Sequence, residues 1–200
     1  PTLMGDASSL SLKECVSKGI LDEVVPVVGF CVVEKELSCR ETNPWIGILA
    51  PWNYFQSVES EANTAFIPKW KEFTGNSERV TNDPMEATYI GFKMWTQAVE
   101  KAGSTDVDAV EQAMIGQETE NLTGGMAYMN KNHHLSKPVL IGEIQDDGQL
   151  EVVWETEGVV PGDAWSDFLP GSKDLIADWT APTSCGNYNT VTKTCSGQNY

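Results

Sequence analysis

Two carboxylates stand around a proline in "VTNDPMEATYIGFKMWTQAVEKAG", residues 80 to 103: Asp83 and Glu86 flank Pro84 at the mouth of a helical pattern. Acids in a first helical turn are favoured by capping and by the helix dipole, so the pair can be a cap. It can equally form the polar end of a binding cleft. Trp52 and Tyr54 lie at the end of an expected strand and share a face by the period of two, which suits either stacking on a planar ligand or packing between layers. Asp6 and Glu34 follow "LMG" and "VGFCVV", at the carboxyl ends of successive expected strands. Such positions converge on one crevice in an open parallel sheet, although a solvated surface charge is the alternative for each.

Other chemistry finds no support. His133-His134 are adjacent, and adjacent residues on an extended segment point to opposite sides, so they do not chelate one ion in the usual geometry. There is no Gly-x-Ser-x-Gly elbow, no phosphate loop and no Cys/His zinc spacing, so no catalytic residue, metal site or cofactor is expected. Thirteen Lys+Arg against 29 Asp+Glu give a net charge of −16, which disfavours nucleic acid and anionic lipid as partners. No run of eighteen apolar residues occurs, so no direct membrane insertion is expected.

The elements that must position these residues follow from periodicity. With 200 residues and 40% apolar content the chain suffices for one folded domain with a sizeable core. "PTLMGDASS" reads as the end of a strand running into a loop, as if the chain began within a fold. Residues 8 to 19 read as a helix closed by Gly19, and 25 to 33 and 45 to 55 as strands of the kind buried in a parallel sheet. A helix is expected over 59 to 73, with a kink or early turn at Pro68, and the strongest over Pro84 to Lys101. In that helix Met85, Tyr89, Phe92, Trp95, Ala98 and Val99 mark the expected core face. A short helix over 105 to 116 is capped by Thr105 or Asp106, and Asp147-Gly148 joins a hairpin within 137 to 158. Residues 159 to 200 read as a surface-hugging tail with Trp165, Phe168 and Trp179 as anchors. Of the five cysteines, Cys185 and Cys195 bracket a polar loop that suits a local disulfide, Cys31 and Cys39 could pair as well, and Cys15 remains over. "NLT" at 121 to 123 is a glycosylation sequon, a triplet that often arises by chance.

"LMGDASSLSLKECVSKGI", "PVVGFCVVEKEL", "PWIGILAPWNYF", "TNDPMEATYIGFKMWTQAVEKAGSTDVDAV" and "NHHLSKPVLIGEIQDDGQLEVVWETEG" stand in an order and spacing that resemble the urea- and short-chain-amide-binding proteins of ABC transporters, from about residue 2 to about residue 170. The chain resembles the C-terminal half of such a protein. The resemblance implies an α/β fold of the periplasmic-binding-protein type I, two lobes of parallel sheets flanked by helices, of which this chain is an incomplete portion. Residues 1–56 would belong to the second lobe, 57–136 to the first, 137–158 to a hairpin returning to the second, and 159–200 to the tail. It also implies an exported, periplasmic or extracellular solute-binding protein for urea or a small amide, working by lobe closure without chemistry and docking on an ABC permease. A planar ligand rich in N–H donors needs acceptors and aromatic walls. Asp83 and Glu86 would accept its N–H bonds, Met85 would form the adjacent wall, and Trp52, Tyr54, Glu34 and Asp6 would complete the site. The alternative is a half-fold serving as a structural or interaction subunit, its open faces covered by the missing N-terminal half or another protein chain. An amide-responsive regulator of the same fold is a third option.

Overall fold

The computed structural model describes residues 6–19, 27–38, 45–174, 187–189 and 194–196. The chain divides into two compact units, Pro1–Gly162 and Asp163–Tyr200.

The first unit opens with α1 (Asp6–Ser17) and a single helical turn, α2 (Glu34–Leu37). Strand β1 (Leu49–Trp52) is the edge of an antiparallel sheet ordered β1-β5-β6, with β5 spanning Leu140–Ile144 and β6 Leu150–Glu155. The run at 25 to 33 does not form the expected strand: among its described residues only Val28 pairs, in parallel, with Leu49. Its chain turns at Phe30 and Cys31 so that Glu34 can start α2, and Glu36 caps that turn by accepting the Val33 N–H at 3.2 Å. The second expected strand shrinks to four residues because Trp45 to Gly47 form a tight turn, with Gly47 at φ 82. Cys31 is unpaired, so the pairing with Cys39 is not formed. Cys39 and Cys185 lie outside the described residues.

Sheet β1-β5-β6 packs Ala50, Leu140, Ile144 and Leu150 with Val32, Leu37, Trp45, Ile48 and Phe55 into the largest core. Gly142 is a requirement of that core. A Cβ there would stand 2.8 Å from two Phe55 ring carbons and 3.0 Å from the Leu150 Cβ. The β5–β6 register shifts between Ile141 and Gly142, and the hairpin turns through Gly148 at φ 77, as the Asp-Gly pair predicts.

Helix α3 (Glu61–Thr74) starts at Ser60, whose hydroxyl accepts the Asn63 N–H, and stops at Gly75 in the left-handed region. It does not end at Pro68. That residue and Thr64, whose carbonyl loses its helical donor there, are both exposed to water. Helix α4 (Asp83–Ala102) is capped by Asn82, which accepts the Met85 N–H at 3.1 Å, and closed by Gly103 at φ 63. Its buried side is Asp83, Glu86, Ile90, Met94 and Ala98. Most of the face expected from the sequence is therefore turned outward, with Phe92 63% and Trp95 43% exposed, while Ala98 is buried and Val99 packs against the same cluster. The reason is the company that α4 keeps. Ile90 and Met94 pack on Ala127 and Met129, and Ala98 on Val110 and Ala113 of α5 (Val107–Met114), which Asp106 caps. Ala127 and Met129 belong to a second antiparallel sheet, β2 (Glu118–Glu120), β3 (Met126–Met129) and β4 (Leu135–Ser136).

In the second unit a 3-10 turn spans Ser172–Asp174, and β7 (Asn187–Asn189) pairs antiparallel with β8 (Thr194–Ser196). Trp165 is 52% and Phe168 100% exposed, and Trp179 lies outside the described residues.

Candidate functional site

The polar residues of the first unit gather where three stretches of chain cross: 53 to 58 after β1, 121 to 125 between β2 and β3, and 136 to 139 between β4 and β5. Asn53 joins all three. Its amide donates to the Pro138 carbonyl at 2.6 Å, its carbonyl accepts from the Thr123 hydroxyl at 2.5 Å, and its N–H donates to Asp83 Oδ1 at 3.0 Å. Asp83 is thus not the cap of α4, since Asn82 takes that role and frees the Asp83 carboxylate to reach another segment. Desolvation raises the Asp83 carboxyl above its ordinary range, opposed by the Lys137 ammonium and by the Asn53 N–H.

Glu86, one helical turn on, is fully buried. Its Oε2 meets Lys137 Nζ at 2.5 Å and its Oε1 accepts the Leu122 N–H at 3.2 Å. Lys137 is itself only 6% exposed, so the pair is an internal ion pair with a supporting amide, the arrangement in which buried charges are tolerated. Glu34 approaches from α2. Its Oε1 accepts the Gln56 N–H at 2.6 Å, while its Oε2 has no hydrogen-bond partner among the protein groups. Burial pushes the Glu34 carboxyl up to about 7, with Asp83 and Glu36 adding smaller repulsions.

Tyr54 lies beyond the end of β1 and does not share a strand face with Trp52. Its buried hydroxyl donates to Asn63 Oδ1 at 2.7 Å and lies 2.6 Å from the Thr81 hydroxyl, which ties α3 to the approach of α4. Gln56 completes the same network by accepting the Thr81 N–H at 2.7 Å and donating to Gln149 Oε1 at 3.0 Å. Trp52 is half-buried against the first core, and its Nε1 donates to the Val32 carbonyl at 2.8 Å. Met85 lines a different feature, an apolar groove of about 530 Å³ between α3 and α4. Asp6 is the first residue of α1. The structure therefore brings Asp83, Glu86, Glu34 and Tyr54 into connected networks, sets Trp52 beside them, and leaves Met85 on the outer side of α4.

Sequence reasoning missed Asn53, Asn63, Thr81, Thr123 and Lys137. Only Lys137 carried a usable signal, a lysine opening the apolar run "KPVLIG", which is an invitation to look for a buried partner. His133 sits in a turn at φ 62, 3.6 Å from Glu111, rather than on an extended segment, and no cluster of metal-ligating side chains occurs among the described residues. Asn121 of the sequon is fully buried, which removes it from the surface that a glycosylation site requires.

The sequence profile of the periplasmic binding protein domain family matches residues 1–171, and the chain belongs to that family. Its fold is that of the type I periplasmic binding proteins, represented over part of its extent. The amino acid ABC transporter substrate-binding protein from Pseudomonas fluorescens Pf-5 superposes with a TM-score of 0.64 at 21% identity, covering 80% of this chain and 43% of that one. A solute-binding protein of an ABC transporter from Rhodopseudomonas palustris HaA2, in complex with p-hydroxybenzoic acid, gives 0.62 at 20% identity, covering 74% and 42%. Likeness at these identities establishes the fold alone. A protein called limonene hydroxylase, from Geobacillus stearothermophilus, is 31% identical over 109 residues, which are 54% of this chain and 20% of that protein. The chain spans less than half the length of these solved relatives and a fifth of the curated one. No helix among the described residues is long and apolar enough to cross a membrane.

Proposed function

We propose that this chain forms part of an exported solute-binding protein of an ABC transporter, which closes two lobes on urea or a short-chain amide without chemical conversion and then docks on the permease. The observation that carries the reading is the Asn53 junction, where one residue of the first crossing bonds the two others and the start of α4. Lobe closure needs such a place, at which a few residues absorb the rotation while the bodies on either side stay rigid. Residues 1–56 and 137–158 form the second-lobe portion in this reading, 57–136 the first-lobe portion, and 159–200 a tail.

Within it the site residues divide by what they already hold. Glu86 and Tyr54 are committed to Lys137, Asn63 and Thr81, and so serve the junction. Asp83 is the acceptor nearest the crossing that keeps an edge open, at 8% exposure, with Trp52 as the aromatic wall; Glu34 adds a carboxyl oxygen without a protein donor. Met85 takes an outer position on α4, and Asp6 stands at the start of α1. A neutral ligand with several N–H groups suits this acceptor-rich set, and its contacts with both lobes would favour the closed state.

The test is titration calorimetry of the two-lobed protein that carries this sequence, with urea, acetamide and formamide against leucine and p-hydroxybenzoate. Heat and a thermal shift with an amide are expected; silence with all three amides removes the ligand assignment, and binding of leucine or p-hydroxybenzoate replaces it. Asp83→Asn keeps an acceptor for the Asn53 N–H while removing the charge. It is expected to weaken amide binding by about 1 to 3 kcal/mol.

A second reading, a half-fold acting as a structural subunit, is favoured by one observation only: the aromatic side chains that α3 and α4 leave uncovered.

A further inference from the structure

Two carboxyl groups grip one short piece of chain from different elements. Asp83, at the start of α4, accepts the Asn53 N–H at 3.0 Å, and Glu34, on α2, accepts the Gln56 N–H at 2.6 Å. Gln56 passes that grip on. Its carbonyl accepts from the Asn63 amide of α3 at 2.9 Å, its Oε1 accepts the Thr81 N–H ahead of α4 at 2.7 Å, and its Nε2 donates to Gln149 of the β5–β6 hairpin at 3.0 Å. In the two-lobed reading proposed above, α2 and the hairpin belong to one lobe portion and α3 and α4 to the other, so Gln56 ties the two together.

The Glu34 bond in this tie depends on a buried acid. Glu34 is fully buried, and its Oε2 has no hydrogen-bond partner among the described residues. The groups around it offer no counter-charge: Asp83 of α4 and Glu36 of α2 are acids, the Tyr54 phenol is neutral, and Lys137 acts on Asp83 and pairs with Glu86. Two backbone N–H groups, those of Gln56 and of Glu34 itself, favour the charged form, but desolvation outweighs them and pushes the carboxyl up to about 7. Such a carboxyl is accommodated while it holds its proton; once ionised, it gains by reaching water. Leu37 and Phe55 are anchored in the first core, so the opening falls on the Glu34–Gln56 contact itself.

We propose that the Glu34–Gln56 contact is a proton-operated catch on the hinge: with the proton on Glu34 the contact is closed and the two lobe portions are tied, and loss of the proton to solvent opens the contact and loosens the tie. The closed contact holds the proton more tightly than the open one, so opening is rare below about pH 4.5, grows as pH rises and levels off above about 7.

The test is hydrogen–deuterium exchange read by mass spectrometry on the two-lobed protein that carries this sequence, without ligand, with labelling times scaled at each pH to cancel the base catalysis of exchange itself. The peptide over residues 54–58 is expected to lose protection by roughly tenfold or more between about pH 5 and pH 7, while peptides within α4 and β5 keep theirs. Glu34→Gln retains an acceptor for the Gln56 N–H and has no proton to lose, so its 54–58 peptide should stay protected across the range. Protection of 54–58 that does not change with pH in the unaltered protein overturns the proposal, as does a loss that spreads equally to α4 and β5, which is general unfolding rather than a catch. A response of the same size in Glu34→Gln overturns it as well, because another group would then carry the proton. The experiment uses no ligand. Calorimetric silence with amides leaves its outcome untouched, and a hinge indifferent to pH leaves the ligand assignment standing, so the two readings fail separately.

Discussion

Lys137→Met should be the most damaging single exchange in the described region. Glu86 is fully buried and Lys137 6% exposed, so the substitution strands a carboxylate in the interior with one remaining donor, the Leu122 N–H. Removing one partner of a buried pair costs roughly 3 to 5 kcal/mol, because the survivor has lost its solvation without compensation. Methionine is close to lysine in length and fills the stem's volume, so packing adds little to the loss. Replacing both partners behaves differently: Glu86→Gln with Lys137→Met leaves a neutral amide that can still accept from Leu122, and most of the loss should return. The assay is equilibrium unfolding in guanidinium chloride, chosen over urea because urea is a proposed ligand. A double-mutant cycle then isolates a coupling of about 2 to 3 kcal/mol between the two positions. If Lys137→Met costs under about 1 kcal/mol, or if the two losses simply add, the ion pair does not hold α4 to the crossing and the account of Glu86 fails.

Three further outcomes are expected. The Glu34 carboxyl titrates at about 7 in the folded chain, above its ordinary value near 4.5, so the unfolded chain releases this proton first and stability falls as pH rises from 4.5 to 7; Glu34→Gln should flatten that part of a melting-temperature profile, and an unchanged slope would show that the carboxyl is not desolvated. Gly142→Ala places a methyl group 2.8 Å from the Phe55 ring and should lower stability by about 1 to 3 kcal/mol in thermal melts, with partial recovery in Phe55→Leu; a neutral Gly142→Ala would mean that β5 yields at its bulge. Asn121 is fully buried, so expression in a glycosylating host should leave the peptide that contains it at its unmodified mass, and a glycan there would contradict the packing around Leu122.

Helices α3, α4 and α5 and the β5–β6 hairpin were legible because their signals are local: apolar spacing over 59 to 73 and Pro84 to Lys101, Asp106 as a cap, Asp147-Gly148 as a turn. The orientation of α4 was not, because a helix apolar on two sides gives periodicity no means of choosing between Met85–Tyr89–Phe92 and Ile90–Met94. The rings are the larger side chains and drew the choice, yet Ile90 and Met94 meet the β2-β3-β4 sheet. Apolar content misled again at 25 to 33, where the chain turns after Val28 and the following Val32 and Val33 are buried outside any strand. At the candidate site, Asp83 and Glu86 stood out by position, but whether each acts as cap, acceptor or ion-pair member depends on Asn53 and Lys137, which lie 30 residues before Asp83 and 51 after Glu86. Spacing along the chain carries no trace of such partnerships.

Those separations also bear on the order in which the chain can acquire its structure. The three hydrogen bonds of Asn53 close loops of 30, 70 and 85 residues, whereas the caps of α3, α4 and α5 span three. Closing a long loop costs entropy that only many simultaneous contacts offset, so the helices and the hairpin can form on their own while the junction must wait for both its flanks. During synthesis Asn53 is without its last partner until Pro138 has emerged. For that interval the stretch Trp52–Tyr54 stays accessible to proteases and chaperones, and the junction is the natural point for a nascent chain of this kind to be held or lost.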